Sequence, residues 1–285
     1  MSKKRILVSA AVFGTLLVLL LVGILIVGPP AKHESIQAVM RDEVLHDAAK
    51  VNLFGLLDVN PGLIAAFTVT GLMTLFAIAV RIFVIPRFTY IPGKFQLLLE
   101  QAVGLFDNLA KSSSPHRNKF VGAYIFIAGS YITVSTLFEL LGVQVLSKAG
   151  NPLTLPAPLS DINGAIAMGV MSYGVVLVGG LMANGLKGAG KALKEFSLPI
   201  SMSFRLFGAL LSGALVTQLV YYYSELSYVL PVLVGILFTL LHAIIQTYVL
   251  TMLTAMYYGE STEPSPKKPK RKKAHKSEVQ QYENA

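Results

Sequence analysis

The sequence predicts an all-α integral membrane protein with five to six transmembrane helices, the last two long and tilted, plus one interfacial amphipathic helix. Three observations lead there. The 285 residues are 54% hydrophobic and only 14% charged, with a mean hydropathy of +0.62, a composition typical of membrane proteins rather than soluble domains. Apolar runs of about twenty residues recur along the chain, each long enough to cross a hydrocarbon core of about 30 Å. The basic residues are sharply partitioned. With six spans alternating and the N-terminus inside, the inner segments hold 18 of the 24 Lys and Arg and the outer segments hold 4; Arg81 and Arg205 lie within spans. Such a bias sets both termini in the cytoplasm.

Residues 1–28 open with Lys3, Lys4 and Arg5 and continue as an apolar run from Ile6 to Gly28. They read as an N-terminal span or signal anchor. A cleaved signal peptide is the alternative, but the run exceeds the usual apolar region and no A-x-A site precedes Pro29 and Pro30. Residues 29–60 form an extracytoplasmic segment, in which Ile36, Val39, Met40 and Val44 suggest a short amphipathic helix. His33 and His46 match no metal-ligand spacing, so a solvated surface is expected there. The main membrane domain spans 61–260. Its first span runs from Pro61 to Ile85. Phe95, Leu98, Leu99, Ala102, Leu105, Phe106 and Leu109 then recur at helical spacing, opposite Lys94, Glu100, Asp107 and Lys111. That pattern is the interfacial helix.

Residues 120–142 make a span with Glu139 near its outer end. After a Pro-rich loop, Asp161-Ile-Asn163 begins the next span, to about Ala183. Gly185 to Lys194 reads as a short basic turn. The span that carries Arg205 ends near Tyr221, Tyr222 and Tyr223, which suit an aromatic belt because the chain has no tryptophan. The last span, Tyr228 to Tyr258, is longer than an upright helix needs and is expected to tilt. Residues 261–285 form a basic cytoplasmic tail expected to be disordered. The tail's Lys267–Lys273 run looks like a nuclear signal, a reading the apolar spans rule against. The net charge of +9 lies largely outside the spans, so no nucleic acid partner is expected. The absence of cysteine excludes disulfides and thiol chemistry. No cofactor and no metal are expected.

Arg205 is the chemically informative residue. A charge at membrane depth costs about 3 kcal/mol or more and marks function by default. No acidic residue lies near it in sequence, whereas small residues share its face: Ser201 one turn before, Gly208 and Ala209 one turn after, then Ser212 and Gly213. A small-residue strip admits a closely packed partner helix. On the last span Thr239, His242 and Gln246 follow at three- and four-residue intervals and so stack on one stripe. Facing Arg205, they would build a polar path; alone, they would only glue helices by hydrogen bonds. Glu139 is either a proton acceptor on the outer side or a helix-end residue that snorkels to the interface.

Four segments, in order, resemble the a subunit of F-type ATP synthases, the stator facing the rotating c-ring: Ile91-Pro-Gly-Lys-Phe-Gln96 with Glu100, Pro158-Leu-Ser-Asp-Ile-Asn163, Ser201-Met-Ser-Phe-Arg-Leu-Phe-Gly208, and Gln246 to Glu260. The resemblance covers most of residues 50–260. It implies that Arg205 is the essential arginine, that Gln246 is its partner on the last helix, and that aqueous half-channels flank it. It also implies a c-ring, peripheral stalk b subunits and the rest of the synthase as partners, in a bacterial plasma membrane or an energy-transducing organelle membrane. Asp161, Asn163 and Thr239 would add polar groups to the path. The sequence departs from the family pattern in having Ala209 for Asn, Ala214 for an acid or histidine, Thr239 for an ionisable group, and Glu139 where Asn is common. Glu139 and His242 would then take over the relay. Two other readings are a secondary transporter, which usually shows internal repeats that are not evident here, and a non-pumping assembly subunit.

Overall fold

The computed structural model describes residues 51–53, 57–146, 152–222 and 230–264, with isolated positions upstream of residue 40. The N-terminal span, the amphipathic stretch at 36–44, Tyr223 and the tail beyond 264 therefore lie outside the described residues.

The first span starts where Asn60 caps it. Its side chain accepts a hydrogen bond from the Gly62 amide at 2.9 Å, and Pro61, which has no amide proton to lose, occupies the first turn. Helix α1 (Pro61–Ala79) continues into a π turn, Val80–Val84, and a 3-10 turn, Ile85–Arg87. The cause is Pro86, whose ring and missing N–H are incompatible with a continued α-helix. The backbone widens ahead of it, so that the Ile85 amide reaches the Val80 carbonyl. The interfacial helix is α2 (Lys94–Ser113). Gln96 ties it to the preceding turn, donating to the Thr89 carbonyl at 2.9 Å and to Glu100 at 2.7 Å.

Helices α3 (Asn118–Phe138), α4 (Ile162–Asn184), α6 (Ser197–Tyr222) and α7 (Leu230–Thr262) are the remaining long apolar elements. With α1 they make five helices, among the described residues, long and apolar enough to cross a membrane. At 33 residues α7 is about 50 Å long, more than a bilayer core, so it must tilt or emerge.

Three features depart from expectation. Gly185–Lys194, read as a turn, contains a nine-residue helix, α5 (Leu186–Lys194). Gly185, at φ +60°, breaks the chain from α4, and only then does the Leu/Ala/Lys run take up its own helical period. Two small antiparallel hairpins also flank the bundle. In the first, β1 (Val51–Leu53) pairs with β2 (Leu57–Val59), Val51 facing Val59. In the second, β3 (Gln144–Leu146) pairs with β4 (Pro152–Thr154), Gln144 facing Thr154. Three-residue strands are too short to register as a period-two pattern.

Helix association in lipid gains little from hydrophobicity and depends on close packing and hydrogen bonds. The bundle shows both. α4 meets α6 where Gly169 lies against the Pro199 carbonyl and Ser203. α3 meets α7 where Gly129 lies against Thr251 and the Phe106 ring, and a Thr133–Thr247 hydroxyl pair at 2.8 Å bridges the same two helices. Ile132, Met168, Met202 and Leu206 fill the centre. At one end Asn184 donates to the carbonyls of Ser261 and Glu263 at 3.1 and 2.8 Å, closing the exposed end of α7.

Candidate functional site

Helix α6 has two faces. Leu198, Met202, Leu206 and Leu210, four residues apart, are buried in the bundle. Ser201, Arg205, Gly208 and Ser212 lie on the opposite side and are exposed, with Ala209 half-buried beside them. Among the described residues, nothing beyond its chain neighbours and its own helix backbone comes within 4 Å of the position a Gly208 Cβ would take. The Ser212 hydroxyl donates to its own helix, at the Ala209 carbonyl, 2.8 Å away. Among the described residues no carboxylate pairs with Arg205. The result is a shallow, small-residue surface with one guanidinium on it.

Gly213 does not belong to that surface. It is buried against α7, and a Cβ there would lie 3.4 Å from the His242 ring. The strip expected at Ser201, Gly208, Ala209, Ser212 and Gly213 therefore ends at Ser212. One further residue along a helix turns the side chain by about 100°, enough to carry Gly213 round to the neighbouring helix.

His242 thus marks where α7 crosses α6, with the Phe238 ring next to it at a centroid separation of 5.8 Å. Thr239 and Gln246 are 8% and 6% exposed, so the stripe of Thr239, His242 and Gln246 faces inward rather than to lipid. The two helices run in opposite directions. From the Gly213–His242 crossing, Gln246 is about one turn further along α7, roughly level with Ala209, and Arg205 lies about one turn beyond that. Glu139 begins the 3-10 turn Glu139–Leu141 at the end of α3; it is half-buried, and its turn packs on α7. The Glu139 turn thus packs on the helix that carries His242.

Asp161 and Asn163 lie elsewhere. Asp161 caps α4, accepting from the Asn163 backbone amide at 3.0 Å and side chain at 3.2 Å. Both line a cleft between α1 and the α3/α4 pair, not the Arg205 face. Their role in α4 is local: they satisfy donors of its first turn. Sequence reasoning missed the buried hydroxyl contacts, such as Tyr124 with Ser172 at 2.8 Å between α3 and α4. The signal available was a hydroxyl or glycine at nearly every turn of these helices.

A family described as ATP synthase A chain matches residues 62–259, more than half of the chain. The chain belongs to the ATP synthase A chain family. Its similarity to individual members is modest. It is 24% identical over 187 residues to an ATP synthase subunit a from Cereibacter sphaeroides, covering 61% of this chain and 72% of that one. It is 25% identical over 188 residues to an ATP synthase subunit a from Acidothermus cellulolyticus, covering 60% and 66% respectively. ATP synthase A chains are the proton-translocating stator subunits of the synthase, and this chain is accordingly a multi-pass membrane component of that complex. The transporter reading falls with that assignment.

Proposed function

We propose that the exposed Arg205 face of α6 is where this subunit meets the carboxylates of a c-ring, with a half-channel on either side. The supporting observation is that a permanent cation stands on an open, small-residue surface that the described residues leave uncovered. An arginine is charged across the physiological range. A ring carboxylate that arrives beside it is held ionised, because an opposite charge a few ångströms away favours the charged form. As the ring turns, the carboxylate leaves, takes a proton from one half-channel and becomes neutral before it enters lipid. The guanidinium meanwhile repels a proton that would pass straight from one half-channel to the other, so transfer is tied to rotation. Each charge moved gains about 2.3 kcal/mol per 100 mV.

Gln246 is uncharged, so it orients the guanidinium without cancelling it, as a carboxylate would. In the outer half-channel Glu139 and His242 act as the relay, in place of the groups absent at Ala209, Ala214 and Thr239. The packing of the Glu139 turn on α7, the helix that carries His242, favours this. The basic residues of α2, α5 and the tail favour a cytoplasmic location for both termini, and a bacterial plasma membrane with peripheral stalk b subunits completes the reading.

The relay is tested with the assembled enzyme in inverted vesicles. Glu139→Gln/His242→Ala should lower ATP-driven proton pumping by at least tenfold while ATPase assembly is retained. Undiminished pumping would sink the assignment of these two residues.

A further inference from the structure

The corner where α7 ends joins three helices. Asn184, at the end of α4, and Lys191, on α5, both donate to the Glu263 carbonyl. The chain therefore leaves α7 at a fixed point beside α5. Helix α5 itself runs back along α4: Gly188 lies against Gly180, and the Tyr173 hydroxyl donates to the Ala192 carbonyl at 3.3 Å. From Tyr173 to the end of α4 is about three helical turns. The lysines of α5 thus stand beside the last turns of a helix long and apolar enough to cross the membrane, not clear of it. Gly188 and Ala192 fill the inner face of α5. On its outer side Leu186 and Leu193 are exposed, as is Phe196 just beyond, and so are Lys187 and Lys194. Such a face, part apolar and part cationic, fits the depth at which a bilayer changes from acyl chain to headgroup. A soluble anionic partner would leave the three apolar side chains without a counterpart.

The sequence after α7 extends the same charge. From Lys267 to Lys276 it holds seven Lys and Arg, and no acidic residue stands between Pro264 and Ser277. Lys267 follows Thr262 by five residues, at most about 18 Å of chain, so the cluster begins close to the membrane surface. A basic run directly beyond a membrane helix is the pattern that gathers anionic headgroups. Residues 265–276 include no Phe, Tyr, Leu, Ile, Val or Met. They lack the aromatic anchors that centre a protein interface and the rings that stack on nucleobases. Attraction to a charged surface needs neither.

We propose that α5 and residues 267–276 together bind the anionic phospholipid headgroups of the leaflet at which α4 and α7 end, with Leu186, Leu193 and Phe196 at the acyl boundary. The two cationic elements act on one leaflet because Asn184 and Lys191 fix the end of α7 beside α5. Which side of the membrane is cytoplasmic does not enter, so the proposal stands apart from the orientation proposed above.

The test uses the intact synthase in phosphatidylcholine nanodiscs with a trace photoprobe, either phosphatidylglycerol or phosphatidylcholine with a diazirine close to its headgroup. Labelled peptides are then mapped. Phosphatidylglycerol should label residues 186–196 and 264–285 in preference to phosphatidylcholine. High salt, which shortens the Debye length to about 3 Å at 1 M, should remove the preference in 264–285. Lys187→Gln/Lys194→Gln should cut the preference at 186–196 by roughly fivefold for each charge removed, and Lys187→Arg/Lys194→Arg should retain it. Exchanging the seven basic residues of 267–276 for Gln should abolish the preference in 264–285 while α5 keeps its own. Equal labelling by the two probes in the unaltered enzyme, or a preference unchanged in the Gln variants, would overturn the proposal. So would cross-links from both segments to other subunits in place of lipid.

Discussion

At the scale of single residues, α6 separates two kinds of glycine. Gly213 is packed against His242, at a distance where an added methyl group makes ordinary contact. Gly208 faces open space within this chain. Gly208→Leu should therefore leave the stability of the subunit within about 0.5 kcal/mol. If a ring helix passes over it, however, the overpacked contact costs about 1–3 kcal/mol, a roughly five- to hundredfold loss of pumping. Melting of the purified complex and proton pumping in vesicles read the two effects separately. Normal pumping in Gly208→Leu would remove the small-residue face from the ring contact. Arg205 was legible in the sequence because a charge in an apolar run has few structural excuses. The placement of Gly213 was not, since one residue decides which of two helices a side chain meets, and the packing angle that settles it is a property of the pair.

At the scale of elements, the starts of α1 and α4 were legible almost to the residue. Asn60 with Pro61, and Asp161 with Asn163, are local chemistry and need no tertiary context. Helix α5 was not legible, because Gly188 and Gly190 lower helix propensity by about 1 kcal/mol each relative to alanine. Packing outweighs that: Gly188 is buried against the Gly180 backbone of α4, and Ala192 is buried too. Gly188 weakens the helix in isolation and is also what lets it dock, whereas Gly190 faces open space. The same corner fixes the end of α7 through Asn184 and, at 3.4 Å, Lys191 Nζ to the Glu263 carbonyl. Asn184→Ala removes two of these hydrogen bonds, each worth about 0.5–1.5 kcal/mol. Hydrogen exchange should speed up at residues 258–264 and stay unchanged at the centre of α7. Uniform exchange along α7 would mean that the cap does not hold the end.

At the scale of the whole molecule, five apolar helices among the described residues make a multi-pass membrane protein, and the proposed orientation rests on the asymmetric distribution of charge. The absence of cysteine makes it directly measurable. Thr154→Cys, on the exposed β4 hairpin, should react with an impermeant maleimide in intact cells, and Ser277→Cys, in the tail, only in inverted vesicles. The opposite pattern would invert the topology and exchange the two half-channels. Arg205 and the residues beside it present a face that no part of the described chain covers, and in the proposed function its counter-charge arrives on a ring carboxylate. The central claim is therefore tested most directly by Arg205→Ala in the assembled synthase, with ATP-driven proton pumping measured after the c-ring is shown to be present. The account predicts an enzyme that assembles and pumps no protons; pumping at the level of the unaltered enzyme would contradict it.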